Sequence, residues 1–253
     1  MIQTNDTITT QLNHRTVRQF TDQPLDKETL TTLYEVARRT ATSQYLQQFS
    51  LIHVTDLAKK RRFASICRQP AIAENGDLFI FVADLRRNQQ IRRKNGVDDG
   101  RLHTMDLYLQ GMADATLALQ NMYVAAESLG LGGVILGSIR NDLKAVTELL
   151  DLPAMVIPVL GLRLGVPAED HEQKPRLPQK LLVMENTYND ALDEQAYQEF
   201  DRTLATYYAE RNANARQENF TSLIAGENST LNEKVTKRDD VLEVTHAQGL
   251  LWK

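Results

Sequence analysis

Residues 104–129 constrain the fold more than any other stretch of the chain. Leu107, Leu109, Met112, Ala113, Ala115, Leu117, Leu119, Met122, Tyr123 and Ala126 cover most of the circumference of the helix that their spacing predicts. A helix with one apolar stripe lies on a surface, whereas one that is apolar nearly all round belongs inside a large core or against another subunit. Gly130 follows directly and suits a helix C-cap.

Strand and helix patterns alternate around this segment. A helix after Pro24, capped by Asp26, aligns Leu30, Leu33, Tyr34 and Ala37. Residues 49–55 read as a strand, 57–67 as a helix capped by Asp56, and 77–83 as a strand buried on both faces. The charged stretch 84–103 reads as a surface excursion, helical in part. Strands at 133–137 and 155–165 flank a short helix at 142–150, and Pro158 points to an edge or a bulge. Residues 181–184 read as a short strand and 193–211 as a helix aligning Tyr197, Phe200, Leu204 and Tyr207. This order predicts one α/β or α+β domain. The polar tail from Asn212 ends in Leu250, Leu251 and Trp252, a termination that suits packing on its own domain or on a partner.

Composition narrows the function. A net charge of −4 gives no global basic footprint for nucleic acid or an anionic membrane. No apolar run approaches membrane-spanning length, and residues 1–13 lack a signal-peptide core, so a cytoplasmic protein is expected. The lone Cys67 offers no internal disulfide, and five scattered histidines form no metal motif. The glycines at 130, 132, 133 and 137 close a helix and open a strand, the reverse of a dinucleotide-binding loop. Gly137 ends a buried strand just before Ser138 and Arg140, where α/β sheets place ligands. Two cationic clusters stand out: His14, Arg15 and Arg18, and Lys174 with Arg176 around Pro175. Such groupings suit a phosphate held by Arg forks and hydroxyls, although each cluster taken alone is more often a surface salt-bridge site.

Residues 14–25 (HRTVRQFTDQPL), 39–47 (RTATSQYLQ), 125–141 (AAESLGLGGVILGSIRN) and 161–178 (GLRLGVPAEDHEQKPRLP) together resemble the nitroreductase superfamily, in the branch of NADPH-dependent flavin reductases and oxygen-insensitive nitroreductases. The resemblance spans residues 12–211. It implies a three-layer α+β fold, a mixed central sheet flanked by helices, in an intertwined homodimer. The chain would be one domain, with a core at about 12–211 and a partner-embracing segment at about 212–253. FMN would bind at the interface. By the same resemblance, His14, Arg15 and Thr16 meet the FMN phosphate and ribityl chain, with Lys174 and Arg176 as a second phosphate pair. Arg18 would face the pyrimidine end of the flavin, where negative charge develops on reduction. Gln69 would bond the flavin edge, and Leu136, Gly137 and Ser138 would lie beside the ring. Thr42 and Gln44 match a loop contributed by the partner. Tyr45 and Arg140 would line the substrate pocket, and Arg211 and Arg216 occupy positions suited to the NADPH 2′-phosphate. After Phe220 the chain carries TSLIAGENST where relatives have a basic run, which leaves NADH use open. The implied activity is ping-pong hydride transfer from NAD(P)H through FMN to nitroaromatic, quinone, azo or free-flavin acceptors; a flavin-binding sensor or carrier is the alternative.

Overall fold

The computed structural model describes residues 2–211, 215–226 and 236–252. α1 (Asp6–Leu12) is capped by Asn5 and buries no residue, so no apolar periodicity announces it. α2 (Lys27–Arg38) begins where the Asp26 carboxylate accepts the Thr29 N–H at 2.7 Å, and it buries Leu33 and Ala37. β1 (Phe49–Val54), α3 (Leu57–Cys67), β2 (Asp77–Asp84) and α4 (Arg86–Lys94) follow. Next come α5 (Met105–Ser128), β3 (Gly132–Leu136), α6 (Leu143–Leu149) and β4 (Val156–Gly165). α7 (Glu194–Glu210), α8 (Phe220–Ala225) and α9 (Val241–Ala247) complete the described helices.

The strands form one sheet in the order β1-β2-β4-β3, and each neighbouring pair is antiparallel. Among the described residues, parallel pairing enters through the isolated bridge Thr16–Gly133, beside the antiparallel pairing of the named strands. Pro158 sits at a bulge on an internal strand: Phe81 faces Leu160 and Val82 faces Pro158, which spares the ladder a missing N–H.

β2 divides the core by its alternation. Phe79, Phe81 and Ala83 face α2 and α5, while Leu78, Ile80 and Val82 face α3, Ile139 and Val146. The result is an α+β sandwich of three layers. α5 buries Leu107, Ala115, Ala118, Leu119, Met122 and Tyr123, but Met105, Leu109 and Leu117 are about half exposed. Within one chain, then, the helix is enclosed on one side only.

Residues 181–184 are not a strand. Gln179–Leu181 forms a 3-10 turn and Leu182 and Val183 are exposed, because the short apolar run finds no ladder partner. The described chain divides into two compact units, Met1–His171 with Thr236–Lys253, and Glu172–Val235. In the second, Ala196, Phe200, Leu204 and Tyr208 form the buried face of α7, and Tyr208 takes the place expected of Tyr207. In the first, the Met155 N–H donates to Gln248 O at 2.7 Å and the Trp252 N–H to His103 O at 2.9 Å. Leu250 is buried and the Trp252 ring stacks on His103 at 4.1 Å. Residues 236–252 therefore pack on this chain's own core.

Gly132 has no room for a side chain, since a Cβ there would fall 2.6 Å from Val17 Cγ2. Gly132→Ala is expected to destabilise the fold by roughly 1–3 kcal/mol through overpacking, and Val17→Ala in the same chain should recover part of that loss; urea unfolding of the single and double variants checks it.

Candidate functional site

The segment 14–20 is laid against the sheet by backbone and by shape. The Val17 N–H donates to Gly133 O at 2.8 Å, and Val17 fills the space that Gly132 leaves. Phe20 fills the spaces at Gly76 and Gly165, where a Cβ would come within 2.7 Å of its ring. Val17 and Phe20 are buried while Arg15 and Arg18 are exposed. The two buried anchors thus leave the intervening and flanking cations exposed to solvent.

Two residues of α5 fix the start of this segment. His14 Nδ1 lies 2.7 Å from Glu127 Oε1, and its ring meets Tyr123 edge-on at 5.2 Å. The Tyr123 hydroxyl donates to Gly133 O and to Arg15 O. Burial, reinforced by the Glu127 charge, pushes the Tyr123 phenol well above its ordinary value and keeps it a donor. Arg15 also lines a cavity of about 310 Å³ with Glu127, Glu169 and Asp170.

A second group gathers where β3 ends. Gln69 heads the 3-10 turn Pro70–Ala73, and its Nε2 donates to Ser138 Oγ at 3.0 Å. Ser138 also bonds the buried Cys67, whose thiol is pushed up by burial and is unsuited to act as a nucleophile. Arg140 donates to Val159 O at 3.3 Å. Its burial, with the neighbouring Arg238 charge, pulls the guanidinium below its ordinary value. Arg238 reaches Asn141 Oδ1 at 3.0 Å and Gly137 O at 3.5 Å, while Lys237 Nζ pairs with Asp142 at 2.6 Å. Sequence reasoning missed Arg238, since nothing in the polar tail signals that it returns to residues 137–142.

The Thr42–Gln44 loop is organised by Asp114, another residue the sequence did not single out. Asp114 is buried in α5, accepts the Thr42 hydroxyl at 2.6 Å and the Gln48 N–H at 2.8 Å, and also bonds the Ser43 N–H. Thr42 Oγ1 in turn accepts from the Gln47 N–H at 2.9 Å. Its hydroxyl is thereby engaged in both directions and serves to clamp the loop. Gln44, Tyr45 and Gln47 all take positive φ, 50°, 59° and 50°, a left-handed conformation that costs such residues about 1–3 kcal/mol each. Tyr45 is 82% exposed.

The remaining predicted cations lie in the second unit and converge on one tyrosine. Lys174 Nζ donates to the Tyr208 hydroxyl at 2.8 Å, and Arg216 stacks over the same ring at 4.2 Å. Arg211 lies 5.6 Å from the Tyr207 ring and 5.9 Å from that of Tyr208. Arg216 is also paired with Glu218. Arg176 donates to Lys174 O at 2.8 Å, which stiffens the turn around Pro175. Lys174, Arg211 and Arg216, expected at two separate phosphates, thus gather at the Tyr207 and Tyr208 rings, while Arg176 does not. Residues 227–230 of the TSLIAGENST stretch lie outside the described residues.

Two family models cover nearly the whole chain, the nitroreductase family over residues 12–166 and the nitroreductase family C-terminal domain over residues 174–253. The chain belongs to the nitroreductase family. An FMN reductase (NADPH) of Bacillus subtilis is 42% identical over 224 residues, covering 87% of this chain and 90% of that protein. An oxygen-insensitive NADPH nitroreductase of Salmonella typhimurium is 39% identical, covering 93% and 94% respectively. The solved structure of Bacillus megaterium NfrA2 superposes with a TM-score of 0.91 at 33% identity, covering 99% of this chain and all of that one. The branch of the family read from the motifs is the one these relatives occupy. Among the described residues, no helix is long and apolar enough to cross a membrane and no cluster of His, Cys, Asp or Glu could hold a metal ion.

The Asp142–Lys237 pair makes the seating of Arg238 depend on pH. Burial pushes the Asp142 carboxyl up, but the Lys237 ammonium and the Ala145 N–H outweigh it and hold the group below its ordinary value. A depressed carboxyl stabilises above its unfolded pKa of about 3.9, and the contribution is lost as pH falls through the folded value. Hydrogen exchange in residues 236–252 should therefore accelerate below about pH 4, and Asp142→Asn should produce the same acceleration at pH 7.

Proposed function

We propose that the chain is an FMN-dependent NAD(P)H oxidoreductase that reduces nitroaromatic, quinone, azo or flavin acceptors. The observation that carries this reading is the pinning of residues 14–20 at Gly133 and Pro167, which leaves Arg15 and Arg18 exposed, together with the Gln69–Ser138 pair where β3 ends. The donor set suits FMN: cations and hydroxyls for a phosphate and ribityl chain, an amide for a ring edge, and a glycine where the backbone needs close approach. A Cβ at Gly137 would meet only the Arg140 guanidinium, at 3.3 Å, so this surface is open on the ligand side.

His14, Arg15 and Thr16 would hold the phosphate and ribityl chain, with Lys174 and Arg176 as the second phosphate pair. Gln69, Leu136, Gly137 and Ser138 would border the ring. When bound, FMN accepts a hydride from NAD(P)H and passes reducing equivalents to the acceptor. Arg18 stabilises the charge that reduction brings, because a fixed cation needs no reorganisation when the charge appears. Arg140 and Arg238 present two cations near Gly137 and orient the electron-rich oxygens of an acceptor. Tyr45 offers an apolar face on a strained loop, a placement that suits stacking against a planar substrate. Arg211 and Arg216 favour the 2′-phosphate of NADPH.

The functional unit is a homodimer in the cytoplasm. The half-exposed Met105, Leu109 and Leu117 of α5 supply an apolar face for a second copy, and the Thr42–Gln44 loop and the Glu172–Val235 unit would act across it.

Purified protein should be yellow, show a flavin spectrum, and oxidise NADPH with an added quinone. A preparation that binds no FMN removes this reading, and one that binds FMN without turnover makes the protein a flavin carrier. Arg176→Ala is expected to weaken FMN retention, raising the FMN Kd by about tenfold for the loss of a charge-assisted contact, as measured by equilibrium dialysis. Arg211→Ala should raise the KM for NADPH more than that for NADH, and equal effects in steady-state kinetics would strip Arg211 of its role.

A further inference from the structure

Arg163 on β4 is among the largest fully buried side chains of the described protein, at 1% exposure. No carboxylate among the described residues pairs with it. NH1 donates to Arg18 O at 3.4 Å and NH2 to Asn75 O at 2.8 Å, while Nε has no partner. The guanidinium lies over the Phe20 ring at 4.9 Å. Asn75 closes the arrangement by donating from Nδ2 to Phe20 O at 2.7 Å.

These contacts join the two segments that the proposed function puts on either side of the flavin ring. Arg18 belongs to one, and Asn75 follows the short turn headed by Gln69 in the other. Neutral donors would satisfy both carbonyls. A permanent charge there is costly, because burial without a counter-ion forfeits hydration that two carbonyl dipoles only partly replace. That cost is visible in the guanidinium itself, which desolvation pulls down to about 10 despite the opposing influence of Glu74. Lys60 adds to the imbalance. It is partly buried beside the same corner with Nζ on Gly76 O at 2.9 Å, its own value lowered by burial and by Arg163 and raised by Asp77. Glu74 and Asp77 are thus the carboxylates, and Lys60 and Arg163 the cations, that set the field at this corner.

We infer that Arg163 is a positioning residue that also acts electrostatically: it fixes the backbone of Arg18 against the Gln69 turn and supplies a buried positive charge that favours the negatively charged form of reduced FMN. This rests on the FMN reading above. The carbonyls of Arg18 and Asn75 couple the guanidinium to the ring-facing segments, and the surrounding core denies it the water that would screen it. A buried unit charge coupled to the ring through an effective dielectric near 20 is expected to shift its ionisation by about one pH unit.

The test compares FMN-loaded wild type with Arg163→Gln and Arg163→Met, reading FMN affinity and the pH dependence of the bound flavin's midpoint potential. The break in that dependence reports where the reduced ring loses its proton. Both variants should move the break upward by about one unit, a tenfold weaker acid. Arg163→Gln retains donors for a carbonyl and should hold FMN nearly as tightly as wild type, whereas Arg163→Met should bind it several-fold more weakly. An unmoved break in FMN-loaded Arg163→Gln would overturn the electrostatic role and leave only a staple. If neither variant folds, nitrogen NMR of reduced FMN in the wild-type protein decides: a ring still protonated at N1 at pH 7 overturns the inference, and an ionised ring supports it. Failure of the wild type to bind FMN at all is a separate outcome that removes the cofactor reading instead.

Discussion

The close approach of residues 14–20 to the sheet is possible only because the sheet offers backbone without side chains. Val17 occupies the space above Gly132, and Phe20 that above Gly165 and Gly76. Gly133 gives its carbonyl to the Val17 N–H and, at the same time, to the Tyr123 hydroxyl. The rest of the site depends on this contact. It fixes which side chains of the segment point inward, and so which cations point outward. It also brings the Arg18 carbonyl within reach of Arg163. A methyl group at any of these glycines would displace the segment from beneath, without touching its outward-facing cations.

Charge is distributed against the average. The chain carries a net −4, yet some of its cations lie close together: Arg163 with Lys60, Arg140 with Arg238, and Lys174 with Arg211 and Arg216 around Tyr208. Only some of these are neutralised by carboxylates, as Arg216 is by Glu218. Local positive fields on an acidic protein suit small anionic ligands with phosphate groups. They lack the continuous stripe that a nucleic-acid backbone requires.

Much of the fold was legible because its cues are local. The caps Asp26, Asp56 and Asp193 each bond the N–H three residues on, and the uninterrupted apolar run of β2 is what a strand covered on both faces needs. The motif residues of the first unit were legible as candidates, though the bond between Gln69 and Ser138 was not. What escaped the sequence is non-local. Asp114 looks like a polar interruption in an apolar helix, and only the fold reveals that it holds a left-handed loop 66–72 residues away. Arg163 reads as one more charge in a strand, although it is buried as deeply as the leucines on either side. The run 181–184 misled for the converse reason: local propensity for a strand means little when no neighbouring strand is free to pair.

The return of the chain at Thr236 has a consequence for how members of such a family can diverge. Glu172–Val235 leaves and re-enters the same compact unit, and both of its ends are anchored there, one by the continuation of β4 and the other by Leu250 and the Gln248–Met155 bond. An excursion tethered at both ends behaves energetically as a long loop, whose closure entropy grows only with the logarithm of its length. Insertions and deletions within it therefore cost the core little. Evolution can rewrite this part of the chain while the sheet and its glycine contacts stay as they are.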